Sequence, residues 1–449
     1  MSTTILVILL VIIALLIVSL AIGGPVSTSI GFTAVIATML FLSKGDLLFM
    51  GSTLYQNATS GDLIMMPMFI MMAEFMAIGG IAEDLYYVMA KLTRRIKGGL
   101  AVATTLACTI FAALSGSSPA TAATIGKVSL KSMAKRGYRE DFAVGTVSGG
   151  GTLGIMIPPS ITLVMYGILT KTSIVNLLMA GLVPGLLLSI LMCVVNLARV
   201  KINPALIGED KHGNKLPGIE YEQEKFDTTI WQDLKMSGPA LLLIAFILFC
   251  MYTGAATANE CAGIGMVCAM IICLAKKKLT FEKFKHTLIQ GIKASGMMIL
   301  LLSAAAMLSQ VIAKAGIATA MATAITDYGI NKWIIMIALF AMWYLLGMIM
   351  NPTAMVTLTI PFVFEPLMQL GFNPYWLGIV STLCVEVAMI SPPVGNNLFI
   401  LKQTCDVDIG TVYKGSLPYV GILTIGLVIF CIFPQITTFV VDLMAKAAG

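Results

Sequence analysis

The sequence predicts an all-α polytopic membrane protein built from two inverted repeats, with about ten full spans and two re-entrant helical hairpins. Three observations carry that prediction. The composition is that of a chain dissolved in lipid. Prolines and glycines recur in register between the two halves. Basic residues sit in a few short clusters that only a hairpin can place on one side of a membrane.

Hydrophobic residues make up 58% of the chain, charged residues only 11%, and the mean hydropathy is +0.95. A soluble domain carries roughly 25% charged residues, so most of this chain must face lipid or other apolar helices. The net charge of +6 is gathered in short segments. These read as topology signals and exclude a nucleic-acid surface. The nine cysteines show no CxxC pair and no metal spacing. Cys108, Cys250, Cys268 and Cys384 lie in apolar stretches and read as small hydrophobic residues. His212 and His286 both sit in charged, loop-like segments, which argues against an intramembrane histidine relay or a histidine-ligated metal. Met1 to Gly24 is apolar but lacks a basic n-region. It is expected to be a retained first span and not a signal peptide, and its counterpart at 236–253 supports that.

The repeat is read from the helix breakers. Pro158-Pro159, Gly181 and Pro184 recur as Pro392-Pro393, Gly415 and Pro418, 234 residues on. Ahead of each set lies a proline in a polar setting, Ser117-Ser118-Pro119 in one half and Asn351-Pro352-Thr353 in the other, 233 residues apart. Thr124 maps onto Thr357 in that same register. Two related halves, each interrupted where a helix should be smooth, mark binding sites in secondary transporters.

Charge sets the topology. Basic clusters mark the cytoplasmic side: Lys91/Arg94/Arg95/Lys97, Lys131/Lys135/Arg136/Arg139, Arg199/Lys201, and Lys276/Lys277/Lys278 with Lys283 and Lys285. The first two flank residues 98–126, which carry no charge. One straight span would put those clusters on opposite sides; a hairpin over about 98–131 puts both inside. With its tip at Gly116–Pro119, each arm is short of the ~30 Å hydrocarbon core at 1.5 Å per residue. Non-helical backbone at that depth must be buried in protein or line a wet cavity. Residues 333–364 repeat the uncharged pattern without a basic cluster, so this second hairpin is expected to enter from the periplasmic side.

Full spans are expected near 3–22, 25–43, 62–82, 141–170 and 175–198, and again near 236–253, 257–275, 293–313, 373–403 and 411–433. An odd number of crossings per half inverts the second half. The first repeat then occupies 1–202, a polar cytoplasmic connection 203–235, and the second repeat 236–449. The connection, with Glu209, Asp210, Lys211, Glu220, Glu222, Glu224 and Lys225, reads as a solvated linker. Segments 44–60, 83–97, 279–291 and 314–331 read as interfacial helices.

The chemistry is expected at the tips and breaks. Gly149, Gly150, Gly151 and Pro158 interrupt the span 141–170 near Ser117 and Ser118. Freed carbonyls and hydroxyls there make a hard oxygen cage for Na⁺ without a carboxylate. The inverted copy is Asn351 and Thr353 with Ser391, Pro392 and Gly395, a second Na⁺ cage. The second arm of each hairpin begins at its tip, so its helix N-terminus suits an anionic group. Ser118, Thr121, Thr124, Thr152, Thr357 and Asn396 are the candidate substrate contacts between the tips. Glu386, shortly before Ser391, is expected either to tune the second cation site or to pin unwound backbone. Glu74 is a further charge within a span, Lys127 and Lys293 either attract an anion or, the favoured reading, snorkel to the cytoplasmic interface, and Glu260 reads as an interfacial or packing residue.

Ser-Ser-Pro-Ala-Thr-Ala-Ala-Thr (117–124), Gly-Gly-Gly-Thr-Leu-Gly-Ile-Met-Ile-Pro-Pro-Ser (149–160) and Ser-Pro-Pro-Val-Gly-Asn-Asn-Leu-Phe (391–399) resemble the large membrane subunit of TRAP (tripartite ATP-independent periplasmic) transporters, DctM-like members of the ion-transporter superfamily. The stretch 252–260 fits the same family, and the likeness covers nearly the whole chain. The resemblance implies a bacterial or archaeal cytoplasmic-membrane protein that takes up organic anions with Na⁺. It implies an elevator motion of a hairpin-bearing transport domain against a scaffold. It implies two partners, a small four-span membrane subunit and a periplasmic substrate-binding protein. By motif, it assigns Ser117, Ser118 and Gly149–Gly151 to one sodium site and Asn351, Thr353, Ser391 and Gly395 to the other. The chain departs from the family pattern at Ala388, where a glycine is usual, and in the length of the 203–235 connection.

A stand-alone sodium/anion symporter without a binding protein is the nearest competing reading. An intramembrane enzyme would need a nucleophile with a base or a metal, and no histidine lies in a span and no GxSxG appears. A channel suits paired hairpins and broken helices less well than a closed, alternating site does.

Overall fold

The computed structural model describes residues 3–217 and 226–448. Glu220, Glu222, Glu224 and Lys225 of the expected connection lie outside the described residues. The described residues are helical and contain no strand, only an isolated bridge between Glu209 and Lys215.

The first half holds α1 (Thr3–Ala21), α2 (Val26–Phe41), α3 (Lys44–Ala58), α4 (Met65–Ile78), α5 (Ile81–Thr93), the hairpin pair α6 (Gly99–Ser115) and α7 (Ser118–Lys135), then α8 (Glu140–Thr152), α9 (Ile161–Thr170) and α10 (Ile174–Ile202). The second half holds α11 (Ile230–Thr253), α12 (Ala258–Ala275), α13 (Phe281–Lys314), α14 (Ile317–Asp327), the hairpin pair α15 (Lys332–Ile349) and α16 (Pro352–Gln369), then α17 (Pro374–Met389), α18 (Asn396–Cys405), α19 (Ile409–Ile432) and α20 (Gln435–Ala448). Eight helical segments are long and apolar enough to cross a membrane among the described residues. Both hairpins fall where the uncharged stretches put them, with arms of 17 and 18 residues in the first and 18 and 18 in the second. Both expected long spans at 141–170 and 373–403 are broken, into α8/α9 and α17/α18.

Four sequence expectations need correction. The interfacial segment 279–291 and the span 293–313 are one 34-residue helix, α13. In the first half Ser60 is extended and a short 3₁₀ turn, Gly61–Ile64, separates α3 from α4; the matching Lys293-Ala294-Ser295 offers no such break. The connection ends earlier than expected, because α11 starts at Ile230. Thr229 and Gln232 form a reciprocal capping box there, and Lys91 Nζ reaches the Asp233 carboxylate at 2.5 Å and the Thr228 carbonyl at 2.6 Å. Nor is the described start of the connection a free linker: the Leu206 carbonyl accepts the Arg139 N–H at 2.9 Å, and Leu206 and Ile207 are buried. Finally, the glycine run does not interrupt α8. The helix continues through Gly149–Gly151 to Thr152, and the irregular backbone begins after it.

What those glycines do is packing. A Cβ on Gly149 would sit 2.3 Å from the Tyr419 ring, one on Gly150 would sit 3.0 Å from Cys108 of α6, and one on Gly151 would sit 2.8 Å from Ala122 of α7. A Cβ on Gly145, one turn earlier, would sit 2.1 Å from the Gly415 carbonyl oxygen. Small residues let α8 and α19 approach closely where no hydrophobic force between helices exists. The Tyr419 hydroxyl closes the seam, donating to Asn196 Oδ1 at 2.5 Å and lying 2.8 Å from Thr146 Oγ1; Asn196 Nδ2 donates in turn to Thr105 Oγ1 at 3.1 Å. The Arg199 guanidinium covers the Phe142 and Tyr419 rings at 5.0 and 5.5 Å.

The halves interlock. α4 packs along α12, and the corresponding pair, α13 with α2, packs the same way. The second arm of each hairpin lies against the short helix of the other half: α7 on α18, and α16 on α9. Gly145→Ala is therefore expected to lower the apparent melting temperature in detergent, at a cost of about 1–3 kcal/mol for overpacking. Gly421→Ala, on α19 with nothing within 4 Å of an added Cβ, is the matched control and should be neutral or stabilising. Equal melting temperatures for the two variants would remove the close-packed seam from the account.

Candidate functional site

The first tip is a tight reversal. Gly116 caps α6 with φ +57, and a Cβ there would lie 2.4 Å from the Pro159 carbonyl oxygen. Ser117 caps α7 by accepting the Ala120 N–H, and Pro119 occupies the first turn, where a missing N–H costs nothing. Ser115 Oγ lies 2.7 Å from Thr121 Oγ1, which donates to the Ser117 carbonyl at 2.9 Å. The tip then docks on the break: Ile161 N–H donates to the Gly116 carbonyl at 3.4 Å, and Ser160 caps α9. Residues 151–160, including Pro158, are buried throughout.

The second tip has the same parts in another setting. Asn351 caps α16 by accepting the Ala354 N–H at 2.8 Å, with Pro352 following. Thr357 Oγ1 donates to the Thr353 carbonyl at 2.6 Å. In the break, Ser391 Oγ donates to the Val387 carbonyl at 2.6 Å, and Gly395 has φ +56, with the Met389 and Ser391 carbonyl oxygens each 2.9 Å from an added Cβ. The Pro158–Pro159 and Pro392–Pro393 bonds are both cis. Yet Asn351, Pro393 and Val394 are exposed, where their counterparts are buried or half-buried.

The two halves meet at one polar point. Asn397, at the start of α18, donates from Nδ2 to Ser118 Oγ at 2.5 Å, and both residues are fully buried. Glu386, one turn before the end of α17, is fully buried as well, with Ser118 beside its carboxyl group. Three helix N-termini therefore converge on the Gly116–Ser118 reversal: α7 begins there, α9 bonds to it through Ile161, and α18 through Asn397. The carbonyl ends of α6 and α8 come to the same place, since α6 ends at Ser115 and Gly154, just past α8, lies against the Ser117 carbonyl. Amide ends favour an anion and carbonyl ends a cation.

Of the sequence candidates, Ser118, Thr121, Thr152, Thr357 and Ser391 are buried, and Ser117, Thr124, Thr353, Pro392 and Asn396 are half-buried. Ser118 is brought to the meeting point. Gly149–Gly151 back onto neighbouring helices instead, and Thr152 Oγ1 donates to the Gly149 carbonyl at 2.6 Å. The sequence singled out Asn396 where the structure uses Asn397 for the tie; two adjacent asparagines cannot be separated by pattern alone. Tyr419 and Asn196 were missed, and the signal for them was a polar side chain inside a long apolar span. Lys127, Lys293 and Glu260 are exposed, and Glu260 caps α12 with Thr257.

The family described as the tripartite ATP-independent periplasmic transporter, DctM component, matches residues 13–436. The chain is 31% identical over 414 residues to a C4-dicarboxylate TRAP transporter large permease of Pseudomonas aeruginosa, covering 91% of this chain and 92% of the relative. It is 25% identical to a sialic acid TRAP transporter large permease of Vibrio cholerae, covering 94% and 95%. It is 27% identical to an isethionate TRAP transporter permease of Oleidesulfovibrio alaskensis, covering 94% of this chain and 64% of that longer protein. Among solved structures, the YdaH transporter of Alcanivorax borkumensis shares the fold, with a TM-score of 0.62 at 15% identity over 88% of this chain and 91% of that one.

A side chain at Gly116 would meet both backbone strain and the Pro159 carbonyl, so Gly116→Ala should destabilise more than Gly371→Ala, which has φ +79 but open space around it. The shared left-handed strain is about 1–2 kcal/mol, and the excess at Gly116 measures the docking of the tip on the break. Thermal unfolding of both purified variants checks this; equal shifts would mean the tip is not held.

Proposed function

Because the chain belongs to the DctM family of tripartite ATP-independent periplasmic transporters, we propose that it is the large membrane subunit of a Na⁺-coupled, binding-protein-dependent importer of small organic anions. The observation that carries this is the convergence of three helix N-termini and two helix C-termini on the first tip. One place then offers N–H groups to an anion and carbonyls to a cation, the arrangement a symporter needs. Na⁺ is assigned to two cages of neutral oxygens. Ser117 and Ser118 with the carbonyls around 149–158 make one, and Asn351, Thr353, Ser391 and Gly395 make the other. The glycines of the first cage act by bringing backbone close. Thr121, Thr124, Thr152, Thr357 and Asn396 remain the substrate contacts of this reading.

The substrate class follows from the relatives, which are named for C4-dicarboxylates, sialic acid and isethionate. All three are small carboxylates or sulfonates. The partners are a periplasmic substrate-binding protein and a small membrane subunit, and the site of action is a bacterial or archaeal cytoplasmic membrane. The longer isethionate relative, named as a DctMQ permease, supports a second membrane component. The two halves are read as inverted repeats, 1–202 and 236–449, with the first hairpin opening to the cytoplasm and the second to the periplasm. Helices α6–α10 and α15–α19 form the moving body of an elevator, carried past a scaffold that includes α1–α4 and α11–α13.

Uptake into proteoliposomes tests this, with the chain, its small subunit and a binding protein loaded with candidate acids. Uptake should require both an inward Na⁺ gradient and the binding protein, and should fall on the order of a hundredfold in Ser118→Ala/Asn351→Ala. Uptake without the binding protein would favour a stand-alone symporter. Uptake indifferent to Na⁺ would sink the cation cages.

A further inference from the structure

Glu386 is the one fully buried carboxylate among the described residues, and its oxygens meet no hydrogen-bond donor beyond the neighbouring Ser118 hydroxyl. No lysine, arginine or histidine pairs with it; the ion pairs of the described residues involve other acids. A buried ionised carboxylate in that position is costly unless a cation compensates it, the alternative being a bound proton. Its surroundings supply further oxygens. Asn397 donates through Nδ2 to Ser118 Oγ, which leaves its Oδ1 buried and without a partner. Thr382, one helical turn before Glu386 on the same face of α17, has a buried hydroxyl that is also unpaired.

We propose that Glu386 and Asn397, with the Ser118 hydroxyl shared with the first cage, form a third cation site that holds one Na⁺ at the junction of the first hairpin tip and the second break. The donors are a carboxylate, an amide carbonyl and a hydroxyl, the hard oxygen set that such an ion takes. The ion neutralises the carboxylate and uses the free Asn397 oxygen. The site exists once per chain. In the register of the repeat, Glu386 corresponds to Thr152, which spends its hydroxyl on the Gly149 carbonyl, and Asn397 corresponds to Leu163. The first half therefore has neither the charge nor the amide, and the two breaks are unequal in ion binding. Because the site draws on the first tip and the second break together, its ion ties the two halves of the hairpin-bearing body to each other.

The site requires that the chain bind Na⁺, and it rests on the proposed Na⁺ coupling only to that extent. Equilibrium binding of radioactive Na⁺ to the full-length chain purified in detergent, at constant ionic strength with choline as the replacement cation, reads it directly. Glu386→Gln should bind one Na⁺ fewer than the wild type. Glu386→Asp should restore the number with weaker affinity. Asn397→Leu, which copies the first half, should weaken Na⁺ binding on the order of tenfold or more. It also serves as the second variant if Glu386→Gln does not elute as a folded, monodisperse species. Unchanged number and affinity in Glu386→Gln, or in Asn397→Leu where the first does not fold, overturns the third site. If at the same time Ser117→Ala and Asn351→Ala lose binding, the cages stand without it. Loss confined to the Glu386 and Asn397 variants supports the third site and removes the cages. A wild type that binds no Na⁺ overturns both.

Discussion

Everything in this chain depends on how its backbone is satisfied where helices stop inside a membrane. Lipid offers no hydrogen bonds, so each interruption must be capped by the protein itself. The caps are short polar side chains placed one residue ahead of each helix: Ser117 for α7, Ser160 for α9 and Asn351 for α16. Gly116 and Gly395 provide positive φ where the chain must turn between packed elements. The same solution forces polar groups to membrane depth, and it is those groups that can recognise ions. In the proposed reading, binding capacity is a by-product of stopping a helix early and burying the stop.

The repeat makes the halves similar, but packing makes them different. The first hairpin is sunk into the protein: nearly all of α6 is buried and the first break is covered from end to end. The second hairpin's outer arm, α15, buries only Met336, Trp343 and Gly347, and its tip residue Asn351 is exposed. A buried break with satisfied hydroxyls is preorganised, whereas an exposed one can be entered. The polar junction through Ser118 and Asn397 has no copy in the other register, where Leu163 stands in place of Asn397.

Much of the architecture was legible in the sequence because membrane helices obey few rules. Length, apolarity and missing charge placed both hairpins, and proline pairs placed both breaks. The family was readable from three motifs, and the family match and its relatives bear it out. What escaped was anything decided by partners. Gly149–Gly151 read as a helix break, but glycine in a membrane helix also serves close approach, and only the Tyr419 ring and Cys108 opposite them tell the two apart. The fusion of α13 was hidden because a missing breaker is a weaker signal than a present one. Asn397 was hidden beside Asn396, since helix phase after a break is not fixed by pattern.

Directional bonds run between the hairpin-bearing helices. Thr109 and Ser189 are 2.6 Å apart, Tyr166 donates to the Pro374 carbonyl at 2.9 Å, Trp376 donates to the Phe430 carbonyl at 2.8 Å, and Tyr419 joins Asn196 and Thr146. These bonds link α6 to α10, α9 to α17, α17 to α19 and α19 to α8. All are short and all but the part-buried Tyr166 bond are buried, and such networks hold one geometry. The α4 seam is different: Met72 sulfur lies against Gly265 of α12 and Met71 against Gly291 of α13. Thioether side chains tolerate rearrangement where hydroxyl and amide bonds do not. A body fixed by directional bonds would keep the proposed ion and substrate groups in register while its surroundings adjust. That is the mechanical condition the proposed elevator requires, because a site that deformed on moving would release its cargo by losing its geometry instead of by reaching the other side.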